Sequence, residues 1–368
     1  MYTTSPPRAW AEIDLQAIRH NLGIIKKASP TCAIMPVVKA SAYGHGLEAV
    51  ARTLDSEGIT YFGVANVGEA RRLKLSGCRT KPYILGATFP EEREELVEND
   101  WCSFVSTIED AQHFQALAAQ YGKKLQMHIS IDVGMGRGGF LPNQLHELID
   151  HLPKLPNLIF EGIGAHLPAA DEDHEATLEQ IRLFEESVAT LRQSIDIKWV
   201  HIANSAASLA YQIPSANLAR PGLALYGISP IESQWNDQLK PALSLHARLT
   251  VVRTLPENHT ISYGSTFRTS HASKIATVGI GYADGYFRSL ANKNARVIVH
   301  GISCPVLGRV TMDQIIIDVS EVPNVYPGDI AEILGPNVPV TELAEKAGTI
   351  PWEIFTSIGA RIPRIYQS

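Results

Sequence analysis

The segment PVVKASAYGHG, at positions 36–46, decides how the rest of the chain is interpreted. Residues 33–38 form an apolar run typical of a buried strand, and Lys39 follows it directly. Burial of a lysine ammonium costs free energy, and the same desolvation lowers the lysine pKa, so that the amine can serve as a nucleophile or a base. A β/α barrel carries its catalytic groups at the carboxyl ends of its strands, which is where this pattern predicts Lys39.

The first two-thirds of the chain alternates short β-branched runs with amphipathic helical patterns. In one such pattern Ala111, Phe114, Leu117, Ala118 and Tyr121 recur at the spacing of one helix face. Eight strands and their helices over roughly 230 residues fit a (β/α)8 barrel. A doubly wound sheet is the alternative, but no GxGxxG motif follows the first strand. The predicted strands are 33–38, 61–64, 83–85, 103–105, 125–132, 159–165, 199–202 and 218–220, and the predicted helices include 47–56, 68–75, 108–121 and 176–194.

After residue 238 the pattern changes to strand-like runs separated by turn residues, with one helical pattern at 341–347. We therefore predict a barrel domain over 1–238 and a mostly β domain over 239–368. The predicted strands of the second domain are 247–255, 275–279, 296–300, 304–310, 314–319 and 329–334.

Composition excludes several classes of function. The 368 residues are 45% hydrophobic and 19% charged, with a formal net charge of −6 and no basic block, so neither a nucleic acid nor an anionic membrane is an expected partner. No apolar stretch is long enough to span a bilayer, and the N-terminus lacks the apolar region of a secretory signal, so we expect a cytoplasmic protein. The four cysteines form no CxxC pair, and we predict reduced thiols and no metal site.

Several polar residues follow the predicted barrel strands. Because strand ends meet at one face of a barrel, we expect the side chains of the five residues named at the end of this paragraph to converge there. A sixth residue, Ser205, begins a helical pattern and suits both an N-cap and an anion ligand. The five residues are Lys39, Arg137, His166, His201 and Arg220.

Seven short motifs, in order along most of the chain, resemble those of the alanine racemase family. Besides the lysine segment, they are DVGMGR at 132–137, HIANS at 201–205, RPGL at 220–223, SYG at 262–264, GYADGY at 281–286 and GRVTMD at 308–313. The resemblance implies an isomerase that interconverts L-alanine and D-alanine with pyridoxal 5′-phosphate bound to Lys39.

The resemblance also implies that Arg220 donates to the pyridine nitrogen of the cofactor. Because arginine stays protonated, the ring nitrogen it faces stays unprotonated, and the weaker electron withdrawal favours racemisation over side reactions such as transamination. The other cofactor contacts implied by the resemblance are Tyr43, His201, Ser205, Gly222, Leu223 and Trp352.

Racemisation needs a proton donor or acceptor on each face of the substrate α carbon. The resemblance implies that Lys39 serves one face and Tyr263 the other, with His166 and Arg309 supporting the tyrosine. It further implies a homodimer in which the second domain of one chain completes the site of its partner. The implied substrate-binding residues are Arg137, Met312, Asp313 and Tyr282.

The chain departs from the usual family pattern at three positions. Ser130 stands where many members carry a lysine that steadies the carboxylate-binding arginine. Ser41 replaces an asparagine, and Trp352 replaces a tyrosine that borders the substrate. The alternatives are a serine or broader amino-acid racemase, a non-catalytic protein that binds pyridoxal phosphate, and a decarboxylase on the same plan. A carrier would lack the second domain, and a decarboxylase would be expected to show a partner cysteine in it.

Overall fold

The computed structural model describes residues 7–367, which divide into two compact units. The barrel unit comprises residues 17–42 and 47–240, and the described β unit comprises residues 7–16, 43–46 and 241–367. The sequence predicted a barrel domain over 1–238. The first strand, β1 (Ala9–Asp14), lies within that range but belongs to the β unit. Local patterns could not predict this, because pairing between strands far apart in the chain leaves no local signal.

The barrel unit contains eight parallel strands, which confirms the predicted (β/α)8 class. Six of them form one sheet in the order β3 to β8, and β2 pairs with β9. A parallel bridge between Val37 and Gly63 joins β2 to β3, and the Asn217 N–H donates to the Val200 carbonyl at 3.0 Å, which joins β9 to β8. The strands are β2 (Ala33–Ile34), β3 (Phe62–Val64), β4 (Pro82–Ile84), β5 (Cys102–Val105), β6 (Leu125–Ser130), β7 (Leu158–Gly164), β8 (Trp199–His201) and β9 (Leu218–Ala219).

Helices alternate with the barrel strands, and their apolar stripes cover the outer face of the sheet. The longest begins where the Asp173 carboxylate accepts the Ala176 N–H at 3.0 Å, and it buries Ile181, Phe184, Val188 and Leu191. The helices are α1 (Leu15–Ala28), α2 (Leu47–Leu54), α3 (Val67–Leu75), α4 (Pro90–Glu98), α5 (Ile108–Gln120), α6 (Leu145–His151), α7 (His174–Leu191) and α8 (Ser205–Ala210).

The β unit is built on one eight-stranded sheet. The long strand β10 pairs with β1, β13 and β17, so the six strands β10, β13, β14, β15, β16 and β17 close on themselves, while β1 and β18 extend the sheet and β11 pairs only with β12. The remaining elements are β10 (Leu243–Leu255), β11 (Thr260–Ile261), β12 (Phe267–Arg268), β13 (Ser273–Val278), β14 (Arg296–Val299), β15 (Ile302–Leu307), β16 (Ile315–Asp318), β17 (Ile330–Leu334), α9 (Val340–Ala347), α10 (Pro351–Ser357) and β18 (Arg364–Gln367).

A buried carboxylate within the β unit binds two arginines. Asp284 is fully buried and accepts from Arg8 at 2.9 Å, from Arg361 at 2.7 Å and from the Gly281 N–H at 2.9 Å. Both arginines are about half exposed, so the ion pairs join the buried aspartate to the protein surface. Such an acid is stabilising only while it is paired, because an unpaired buried charge is costly.

We expect Asp284→Asn to lower the free energy of unfolding by about 3 kcal/mol. The substitution removes the buried ion pairs, and the new side-chain amide N–H faces groups that are themselves donors, the two arginines and the Gly281 N–H. Asp313→Asn removes a half-exposed carboxylate that contacts the same Arg361 at 2.6 Å, and should cost no more than about 1 kcal/mol. Urea denaturation measures both losses. Equal losses would show that burial does not distinguish the two acids.

Candidate active site

The chain makes a left-handed turn immediately after Lys39. Ala40, Ser41 and Ala42 all have φ and ψ between 46° and 55°, and Tyr43 has φ of 52°. A left-handed residue other than glycine costs roughly 1–2 kcal/mol, so four in succession persist only where the surroundings hold them. The turn reverses the chain at the end of the first barrel strand and leaves Lys39 at its start.

Glu69 holds this turn, a role that the sequence analysis missed. Its two carboxylate oxygens accept the Ala40 N–H at 2.7 Å and the Ala65 N–H at 2.8 Å, which ties the turn to the end of β3. Asn66 caps α3 and accepts the Glu69 N–H at 3.0 Å. The Asn66–Glu69 spacing marks a helix start in the sequence, but nothing local indicates that the glutamate reaches Ala40.

Lys39 lies in a strongly cationic environment. Burial is the largest cause that lowers the pKa of its ammonium, and the nearby Arg137 and Arg220 lower it further, whereas Glu69 raises it. Three cations thus share the neighbourhood of one carboxylate. A site of this composition favours an anionic ligand, and its lysine carries a larger fraction of neutral amine than an exposed lysine.

Arg220 is buried directly after β9, and all of its hydrogen-bond acceptors are neutral. It donates to the His201 ring nitrogen Nδ1 and to the His201 carbonyl, both at 2.7 Å, and to the Ala165 carbonyl at 2.6 Å. Burial lowers the pKa of Arg220 to about 10, and Arg137 contributes in the same direction. The guanidinium remains a cation at neutral pH, fixed in one orientation.

His166 and His201 are both neutral in the folded protein. Burial lowers the pKa of His166 to about 3, with further lowering by Arg220, Arg137 and Lys39. Burial also lowers the pKa of His201 well below its usual range. The second ring nitrogen of His201, Nε2, contacts His128 at 2.7 Å, so both of its nitrogens are engaged within the protein. The predicted cofactor contact of His201 is therefore indirect at most, through Arg220.

The loop that carries Arg137 is closed by its own residues. The Asp132 carboxylate accepts the Gly134 N–H at 2.9 Å and the Gly136 N–H at 2.9 Å, and a bridge joins Ile131 to Phe140. Arg137 itself is exposed. Ser130 lies at the end of β6, and a Cβ on Gly139 would come within 2.9 Å of its hydroxyl oxygen. The backbone of Gly139 therefore packs directly against the Ser130 side chain.

Ser205 has a different role from the N-cap that the sequence predicted. The cap is Asn204, whose side chain accepts the Ala207 N–H at 3.0 Å. The Ser205 hydroxyl instead accepts the Gly222 N–H at 2.9 Å and the Ala224 N–H at 3.2 Å. It thereby joins the start of α8 to the segment of Gly222 and Leu223, the two predicted backbone donors for a phosphate.

Two predicted cofactor contacts, Tyr43 and Trp352, belong to the β unit. Tyr43 is buried, and burial raises its pKa to about 12. The neighbouring Gly44 packs so closely on α10 that a Cβ would come within 2.2 Å of the Phe355 carbonyl. Trp352 lies in the first turn of the same helix. The glycine therefore allows residues 43–46 to lie against the helix that carries Trp352.

Tyr263 is 70% exposed on the β unit, and its two neighbours in the chain, Ser262 and Gly264, both lie against Arg309. The preceding Ser262 has φ of 61° and ψ of −176°, a conformation used almost only by glycine, and its hydroxyl donates to the Arg309 carbonyl at 2.6 Å. A Cβ on Gly264 would come within 2.7 Å of the Arg309 guanidinium. The strained serine and the close-packed arginine fix the direction in which the chain presents Tyr263.

The remaining predicted substrate residues lie together on the β unit. The Tyr282 N–H donates to the Thr311 carbonyl at 3.0 Å, and both Tyr282 and Met312 are substantially exposed. Asp313 pairs with Arg361 at 2.6 Å. The predicted residues thus divide into two groups by unit. Lys39, Arg137, His166, His201, Ser205, Arg220, Gly222 and Leu223 belong to the barrel unit, and Tyr43, Tyr263, Tyr282, Arg309, Met312, Asp313 and Trp352 belong to the β unit.

The fold and the two groups define a class of protein, a two-domain barrel enzyme with a partly desolvated lysine among cationic donors. The chain belongs to the alanine racemase family: residues 13–230 match the model of the alanine racemase N-terminal domain, and residues 242–366 match that of the C-terminal domain. These matches cover both units and agree with the resemblance of the seven motifs.

Known relatives are similar over nearly the whole chain. An alanine racemase of Methanococcus maripaludis is 40% identical, over 97% of this chain and 98% of its own length. The crystal structure of the alanine racemase of Streptomyces lavendulae, a D-cycloserine producer, is 33% identical with a TM-score of 0.92, over 99% and 98% of the two chains. That of Bartonella henselae, with covalently bound pyridoxal phosphate, is 30% identical with a TM-score of 0.90, over 98% and 100%.

We expect His166→Gln to weaken the acid sensitivity of the protein. Below pH 6.5 the unfolded chain binds a proton at His166 that the folded protein, with a pKa of about 3, does not bind, so stability falls as the pH decreases. The variant should lose about 2 kcal/mol less unfolding free energy than the wild type between pH 7 and pH 5. Urea denaturation at the two pH values measures this, with exposed His146→Gln as the control. An unchanged loss in His166→Gln would mean that His166 is not held neutral.

Proposed function

We propose that the protein is an alanine racemase that uses pyridoxal 5′-phosphate and works in the cytoplasm as a homodimer. The observation that carries the proposal is the desolvated Lys39 beside Arg137 and Arg220, in a chain that matches the family over both domains. No helix among residues 7–367 is both long and apolar enough to cross a membrane.

The residues around Lys39 fit the cofactor. The cationic set suits a ligand with a phosphate and a phenolate, and the lysine has the lowered pKa that imine formation requires. Arg220 would hold the pyridine nitrogen, and Tyr43, Ser205, Gly222, Leu223 and Trp352 would hold the phosphate. When bound, pyridoxal phosphate stabilises the negative charge that develops at the substrate α carbon.

The chain's own residues would then bind the substrate and move one proton. Arg137 binds the carboxylate of the amino acid, since a guanidinium matches a carboxylate in shape and charge. Lys39 Nζ takes or returns the α proton on one face, and the Tyr263 hydroxyl does so on the other. His166 and Arg309 would support Tyr263. Arg220 stays protonated and donates to the ring nitrogen, which disfavours side reactions.

The exposure of Tyr263 supports the homodimer. A base that moves the α proton must be shielded from water during the reaction, yet this tyrosine is 70% exposed in a single chain. Met312 and Tyr282, on the same unit, are 52% and 41% exposed. Burial of these side chains by a second copy would remove apolar surface from water. Met312 and Asp313 would then reach the partner's substrate.

Three departures from the family pattern bear on substrate choice. Ser41 occupies a left-handed position that asparagine tolerates better, so it adds strain beside Lys39. Ser130 leaves Arg137 without the usual lysine, and Trp352 is larger than the tyrosine it replaces. These differences favour, as the second candidate, a racemase for serine or a broader range of amino acids.

Chiral chromatography of the products from a panel of L-amino acids tests the activity and separates the two candidates. We expect alanine to be racemised fastest, and Lys39→Ala to lose activity by about 10²–10⁴-fold or more, since a positioned base contributes that much. The wild-type protein should absorb as a lysine-bound cofactor, and Lys39→Ala should not. Unchanged absorbance in the variant would remove Lys39 from the proposal, and faster racemisation of serine would favour the second candidate.

Mixing two inactive variants tests the shared site. We expect Lys39→Ala and Tyr263→Phe, each inactive alone, to regain activity when their subunits exchange, because one of the two sites in the mixed dimer then holds both an intact lysine and an intact tyrosine. Each variant mixed with itself is the control. No recovery after exchange has been verified by mass spectrometry would show that each chain builds its own site.

A further inference from the structure

A line of buried polar side chains runs through the barrel interior, beginning at Arg220. The guanidinium contacts His201 Nδ1 at 2.7 Å, and His201 Nε2 contacts His128 Nδ1 at 2.7 Å. The other ring nitrogen of His128, Nε2, lies 4.0 Å from a carboxylate oxygen of Glu161. All four residues are buried, on β6, β7, β8 and directly after β9.

The donor at one end fixes the tautomer of every ring in this line. An arginine can only donate, so His201 Nδ1 must accept. A neutral His201 then carries its proton on Nε2 and donates to His128 Nδ1, which leaves the His128 proton on Nε2 as well. Both rings are neutral, because burial lowers the pKa of His128 to about 3 and the pKa of His201 well below its usual range.

The line ends at an acceptor. Glu161 accepts from the Tyr61 hydroxyl at 2.8 Å and from the Gln126 side chain at 3.2 Å, and it faces the Nε2–H of His128. Within residues 7–367, this nitrogen has no hydrogen-bond partner and is completely buried. Glu161 is therefore the carboxylate end of a line whose other end is the Arg220 cation.

The same tautomers argue against a metal ion at this end. Cys102, His128 and Glu161 offer ligand atoms within 4.8 Å of one another. A metal on His128 Nε2 would move the His128 proton to Nδ1, which would have to donate to His201 Nε2. His201 would then carry its proton on Nδ1, against the N–H of Arg220 at 2.7 Å.

We propose that His128 is a positioning residue: it accepts the Nε2–H of His201, so that His201 keeps Nδ1 free to orient Arg220, and Glu161 faces the proton left on His128. The inference rests on the proposed function, in which the orientation of Arg220 matters because it holds the cofactor ring nitrogen. Without the acceptor, His201 would carry a buried unsatisfied donor, which a change of tautomer or a ring flip would relieve at the expense of Arg220.

His128→Asn and His128→Leu form the decisive pair, because the two side chains have nearly the same shape and only asparagine keeps an acceptor near the position of Nδ1. ¹⁵N NMR of histidine-labelled apoprotein reports the tautomer of His201, and this measurement does not depend on enzyme activity. We expect Nε2–H in the wild type and in His128→Asn, and an altered tautomer or exchange in His128→Leu. Circular dichroism and urea denaturation show whether each variant is folded.

In the loaded enzyme, His128→Leu should lower kcat for alanine roughly tenfold, with transamination more frequent per racemisation, whereas His128→Asn should stay within about threefold of the wild type. Nδ1–H at His201 in the wild type, one metal ion per chain bound at His128, or equal effects of the two variants would overturn the proposal. If the protein racemises nothing, the tautomers in the apoprotein still test the role of His128. Failure of the proposed function can therefore be told apart from failure of this inference.

Discussion

The site depends on the hydrogen bonds that hold the buried guanidinium of Arg220. A cation inside a barrel needs acceptors, and the chain supplies two backbone carbonyls and a histidine nitrogen, all neutral. The same charge lowers the pKa of Lys39 and of His166, and it fixes the tautomers of two rings in the barrel interior. Burial is the largest cause of both pKa shifts, and Arg220 adds to it on the side of the ligand while it fixes the tautomers on the side of the core.

The turn after Lys39 is the second constraint, and it is conformational. Alanine, serine and tyrosine rarely adopt left-handed backbone angles, so the turn exists because Glu69 binds its first N–H and because residues 43–46 pack against α10 and β18 within the β unit. Strain of this kind is kept only where the surrounding structure over-determines it. The lysine is consequently held by its backbone as much as by its side-chain environment.

The sequence predicted the elements well wherever periodicity was strong. The strand predicted at 125–132 is Leu125–Ser130, and the helix predicted at 176–194 is His174–Leu191. Long-range and polar features were harder to foresee. Nothing in the sequence AWAEID indicates that its partner strands are β10 and β18, more than 200 residues later. His128 inside an apolar strand likewise gives no sign of what its ring contacts.

In the candidate site, residues at strand ends could be predicted from the sequence, whereas contacts between distant segments could not. Strand-end positions indicated Lys39, Arg137, His166 and Arg220, because barrel geometry gathers such positions on one face. Ser205 was given the wrong helix position, since Asn204 competes for the cap and binds the Ala207 N–H. Glu69 could not be found, because its contact with Ala40 joins two segments whose proximity only the folded barrel creates.

The pairing of β1 has a consequence for synthesis. In the sheet, β1 lies between β10 and β18, and Ala9 is aligned with Ala247. After its own synthesis, β1 therefore waits for β10 on the order of ten seconds or more, at roughly 5–20 residues per second. Throughout that time its apolar positions Ala9, Ala11 and Ile13, all buried in the finished sheet, have no surface to cover them. Until β10 and β18 have both been made, β1 therefore lacks a partner on at least one side, and its free edge is open to pairing with strands of other chains.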